Sequence, residues 1–108
     1  MNPVIERRSG VIPAADGKVP EWTQEEAIAY ECAREAISDL MGIKFSRLYE
    51  ERRKENPDMA LVTKLDDEIT RLSDERDGLR LNDHASIARV RSEYGALVRA
   101  YYDGERVK

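Results

Sequence analysis

Three of the four prolines, Pro3, Pro13 and Pro20, fall within the first 22 residues, and the fourth, Pro57, stands near the middle of the 108-residue chain. Proline fixes φ and carries no backbone N–H, so a continuous helix is excluded where prolines cluster. The chain is thereby divided into a punctuated arm, residues 1–22, and two long stretches without proline. Within the arm, Val11-Ile12 and Lys18-Val19 flank Pro13-Ala14-Ala15-Asp16-Gly17. Asp-Gly is a turn signal, so a short hairpin is expected there. Two short strands are not stable alone, so the arm is expected to lie on the helices, join a partner's sheet or stay mobile.

Helix signals follow at once. Thr23-Gln24-Glu25-Glu26 matches the capping box, in which the Thr23 hydroxyl takes the Glu26 amide and Glu26 reaches back. Nothing stronger than Gly42 interrupts the pattern before Asn56-Pro57, which predicts a first helix over 23–55. Asn56 can cap and Pro57 fits a first helical position, so a second helix is expected over 57–80. Asn82 or Asp83 can cap a third over 83–103, with Gly104 as terminator and 104–108 as a frayed tail.

Apolar spacing says what these helices bury. The second carries Val62, Leu65, Ile69, Leu72, Arg76 and Leu79, and the third Ile87, Val90, Tyr94, Leu97 and Tyr101. Both alternate steps of three and four, the pattern of coiled-coil-like packing. Arg76 alone breaks the apolar rule, and its stem is expected to pack while its head reaches a polar partner. The first helix carries one stripe of Tyr30, Ala33, Ile37, Leu40, Met41, Phe45 and Leu48, and a second apolar set at Ile28, Cys32, Ala36 and Ile43. The fold class is therefore all-α: an antiparallel three-helix bundle with coiled-coil-like heptads, an overlong first helix and an extended N-terminal arm.

Length sharpens this expectation. A helix over 23–55 is about 50 Å long, and its two partners are about 30–35 Å. Pairing outward from Asn56-Pro57 leaves roughly ten residues of the first helix beyond the second. Trp22, Ile28, Tyr30, Cys32, Ala36 and Ile43 form the candidate interaction surface on that wide apolar arc. Either the N-terminal arm folds back over it or a protein partner covers it, and a second copy of the chain is the first choice, making a homodimer.

Chemistry is harder to find. One cysteine, Cys32, and one histidine, His84, make no metal cluster and no internal disulfide. Glu31 and Glu35 share a face at one-turn spacing, but a di-metal bundle needs Glu-x-x-His motifs that are missing. Asp66-Asp67-Glu68 lacks the spacing of a calcium loop. Gly10 to Lys18 lacks the spacing and hydroxyl of a phosphate loop. No nucleophile sits beside a base, so no cofactor and no enzymatic activity are expected. Arg52-Arg53-Lys54 suits the end of a helix, where cations offset the dipole.

Net charge is −4, from 18 Lys and Arg against 22 Asp and Glu. Strong nonspecific nucleic-acid binders carry a basic surplus, which this chain lacks. The alternative reading is a nucleic-acid-binding accessory protein using Arg89, Arg91, Arg99 and Arg106 on the third helix and tail. No apolar run approaches the ~20 residues that span a bilayer. The first eight residues lack the apolar stretch of a signal peptide, so a cytoplasmic protein is expected. The leading expectation is a helical interaction module, an adaptor, regulator or inhibitor that works by presenting a surface.

Overall fold

A computed structural model of the chain describes residues 22–107. They form three helices packed together, α1 (Gln24–Arg52), α2 (Met59–Gly78) and α3 (His84–Val107), with no strand among the described residues. The expected arm lies outside the described residues, apart from Trp22.

The capping box at the start of α1 is formed. Thr23 is extended, its hydroxyl accepts the Glu26 N–H at 3.0 Å, and its own N–H donates to Glu26 Oε1 at 2.7 Å. Two amides that the helix leaves unpaired are thus satisfied, and Glu25 and Glu26 complement the positive end of the helix dipole. At the other end α1 stops at Arg52, three residues before the expected boundary. The reason lies in the connection. Pro57 disfavours helical geometry at Asn56, and the buried Glu51 carboxylate accepts the Asp58 N–H at 2.9 Å, turning the chain back onto α1. Asp58, not Asn56, then caps α2 by accepting the Leu61 N–H at 3.2 Å.

Asp83 opens α3, its carboxylate accepting the Ser86 N–H at 3.2 Å. The helix runs through Gly104 to Val107, beyond the expected stop. Glycine ends a helix when it turns left-handed. Gly104 does not, so the residue only lowers helix propensity.

α1 is the spine. It packs against both α2 and α3, whereas the α2 and α3 backbones nowhere approach within 8 Å. One apolar cluster joins all three: Ile37 and Ala33 of α1, Leu65 of α2 and Val90 of α3 are its most enclosed members. The expected α2 stripe is buried throughout except Arg76. Its guanidinium Nη1 donates to Ser38 Oγ at 2.9 Å, while its buried Nε has no hydrogen-bond partner. The α3 stripe departs from expectation. Leu97 is 54% exposed, and Val98 packs against the core in its place. A strict heptad follows a neighbour only if the helices supercoil; a straight helix drifts by about 20° per heptad. Leu97 faces the gap between α2 and α3, beside Leu72 and Glu75. On α1 the same drift leaves Phe45 outside, while Lys44 turns inward to Glu68 at 3.1 Å.

Cross-helix contacts fix the alignment. Arg34 donates to the Arg76 carbonyl at 3.1 Å, Lys44 meets Glu68, and Glu51 meets Asp58. Glu26 meets His84 across α1 and α3, while Leu40 and Lys44 share a cleft with Tyr94 and Leu97. The first turns of α3 therefore lie beside the end of α1 that was expected to overhang. His84, Ile87, Ala88 and Arg91 line a shallow cleft against Glu25, Glu26 and Ala29.

Candidate interaction surface

The six expected surface residues separate on the structure. Trp22 and Ile28 are exposed, and Cys32 is half-buried with a free thiol. Tyr30 and Ala36 turn toward the core and pack against it, and Ile43 is buried. Tyr30 also lies under the Arg34 guanidinium, 5.7 Å from the ring centroid. Helical geometry explains the split. At 100° per residue, Tyr30 falls on the Ile37 and Leu48 side, whereas Ile28 falls on the side facing away from α2 and α3.

That outward side of α1 is more extensive than apolar spacing suggests. It runs through Ile28, Glu31, Glu35, Gly42, Phe45 and Tyr49 to the capping residue Arg53, with the half-buried Ser38 at its edge, where it accepts from Arg76 of α2. Ile28 is 54% exposed, Phe45 51% and Tyr49 65%. The Arg53 guanidinium lies 5.5 Å from the Tyr49 ring centroid, a cation–π contact that holds the ring at the surface. Nothing stands within 4 Å of where a Cβ on Gly42 would be. The upper half holds a shallow depression lined by Gln24, Ala27, Ile28, Glu31, Cys32 and Glu35, with Arg34 and Ser38, both engaged by Arg76 of α2, at its rim. The face thus grades from Glu31 and Glu35 at its N-terminal half, through Gly42, to aromatic and basic at its C-terminal half. Apolar spacing alone does not place Phe45 and Tyr49 on the exposed side. Phe45 fits the core stripe equally well by spacing, and only the drift of a straight helix separates the two outcomes.

The basic residues of α3 are unequally available. Arg89 donates to Glu75 of α2 and to Glu93 at 3.4 Å, and its guanidinium sits 5.8 Å from the Tyr94 ring centroid. Tyr94 Oη in turn donates to Glu75 Oε1 at 2.7 Å, so this network ties α2 to α3 across their gap. Partial burial, and then the hydrogen bond to Glu75, holds the Tyr94 hydroxyl above its ordinary pKa. Arg91 and Arg99 are exposed, and the Arg106 side chain lies outside what the structure describes. Tyr101 is half-buried and Tyr102 exposed, their rings edge to face at 5.3 Å.

His84 Nε2 lies 2.6 Å from Glu26 Oε2. The Thr23 backbone hydrogen bond, followed by His84, holds the Glu26 carboxyl below the usual range. The pair links two helix starts and presents no nucleophile. Among the described residues no group of three His, Cys, Asp or Glu could hold a metal ion. No described helix is long and apolar enough to cross a membrane. Comparison with known proteins finds no matching family model, curated protein or solved structure.

Proposed function

We propose that the chain is a non-enzymatic protein–protein interaction module that self-associates through the outward face of α1, as an adaptor, regulator or inhibitor. Its framework is an antiparallel three-helix bundle in which α2 and α3 use coiled-coil-like stripes to grip the α1 spine. The opposite order of the α1–α2 contacts supports the antiparallel pairing. The single observation that carries the functional reading is the exposure of three large side chains, Ile28, Phe45 and Tyr49, on the one helix that both others pack against. Large exposed apolar groups aligned on a rigid element are the usual anchors of protein interfaces. A free cysteine suits the reducing cytoplasm as the place of action.

Nucleic-acid binding through α3 has weaker support, because Arg89 is occupied by Glu75 and Glu93. Sedimentation of the full chain from micromolar to millimolar concentration tests the reading. Reversible dimerisation that Phe45→Glu weakens is expected. A chain that stays monomeric throughout contradicts the self-association.

A further inference from the structure

We infer that the second copy binds antiparallel, with the two α1 helices crossing at Gly42 and the acidic end of each face meeting the basic end of the other. This rests on the self-association proposed above and specifies its geometry. Glu31 stands 11 residues before Gly42 and Arg53 stands 11 residues after it. Eleven residues are three helical turns to within about 20°, so all three lie along one line of α1. A two-fold axis at Gly42 therefore sets Glu31 of each copy opposite Arg53 of the other, twice per dimer. It also sets Glu35 opposite Tyr49, whose hydroxyl can donate to the carboxylate. Glu31 and Arg53 are both exposed, and neither forms an ion pair among the described residues.

The centre of the face suits close approach. With open space around Gly42, the Phe45 ring of one copy can seat beside the glycine of the other. A parallel pair would instead place Glu31 and Glu35 of one copy against the same residues of the other, and like charges opposed in this way destabilise. An isologous contact of this kind closes on itself and gives dimers, not fibres. From Glu31 to Arg53 the contact is about 33 Å long and one helix wide. A strip about 10 Å wide then buries roughly 700 Å² in total, less than the about 1,600 Å² of a standard interface, so the dimer is a weak, reversible one.

Charge exchange in the full chain tests the geometry, read by sedimentation equilibrium with circular dichroism as the control for folding. Glu31→Arg and Arg53→Glu should each raise the dimer dissociation constant roughly tenfold, since two exposed pairs per dimer become repulsive. The double variant should return it to near the wild-type value. A dimer that ignores the single substitutions, or that the double variant fails to restore, overturns the antiparallel placement and leaves self-association standing. A wild-type chain that never dimerises overturns both.

Discussion

Gly42→Ala should stabilise the monomer and loosen the dimer. Gly42 lies well inside α1, is exposed and keeps a right-handed backbone, so alanine adopts its conformation without strain. The added Cβ meets nothing within 4 Å. What remains is the helix propensity difference, about 0.8–1.0 kcal/mol in favour of alanine, much of it lost freedom of the unfolded chain. For a folded unit of this size that corresponds to a rise in Tm of about 4–8 °C per kcal/mol. Urea and thermal unfolding at concentrations where the chain is monomeric measure it. In the dimer the sign reverses, because two methyl groups at the crossing point hold the helices apart. A variant less stable than wild type as a monomer would refute the reasoning, since it would mean that the space around Gly42 is filled. A variant that dimerises as tightly as wild type would move the crossing point elsewhere.

Other consequences follow from the packing and the charges. Ile37→Ala removes a fully enclosed side chain from the spine and should cost about 2–5 kcal/mol in urea unfolding. Leu97→Lys should change stability by no more than about 0.5 kcal/mol, because Leu97 faces the gap between α2 and α3; a large loss would restore it to the core. Glu26, Glu51, Glu68 and Asp83 all have folded pKa values below their ordinary ones; the leading causes are hydrogen bonds from the Thr23 backbone, the Asp58 backbone, Lys44 and Ser86 respectively. A lowered carboxyl stabilises the fold fully above its unfolded pKa, about 4, and loses that contribution as pH falls through the folded value. The Tm should therefore hold between pH 7 and about 5.5 and fall below about pH 4, with a shallower fall in Glu51→Gln. A Tm that rises on acidification would contradict these assignments.

Much of the architecture is legible in the residues themselves. The capping box at Thr23 is a local device, complete within four residues, and it forms as expected. The α2 stripe is clear because five of its six members are apolar and all face one spine. The departures have non-local causes. The early end of α1 depends on the Glu51 carboxylate reaching Asp58, an interaction that no helix rule anticipates. Leu97 and Phe45 satisfy a heptad pattern, yet both are exposed, and α2 and α3 do not close on each other. The outward face of α1 escaped an apolar search for a related reason. It mixes two acids, a glycine and two aromatics, so it shows only once the inward face is known.

The two native thiols of a dimer offer the most direct test. Cys32 is the only cysteine, and it stands ten residues before Gly42. Spin labels at Cys32 in an antiparallel pair crossing at Gly42 should be about 30 Å apart along the helix axes. Pulsed dipolar spectroscopy on the full chain at millimolar concentration measures that distance, and we expect a distribution centred near it. A distance near 10 Å would indicate parallel helices, and no intermolecular coupling would show that α1 does not join two copies.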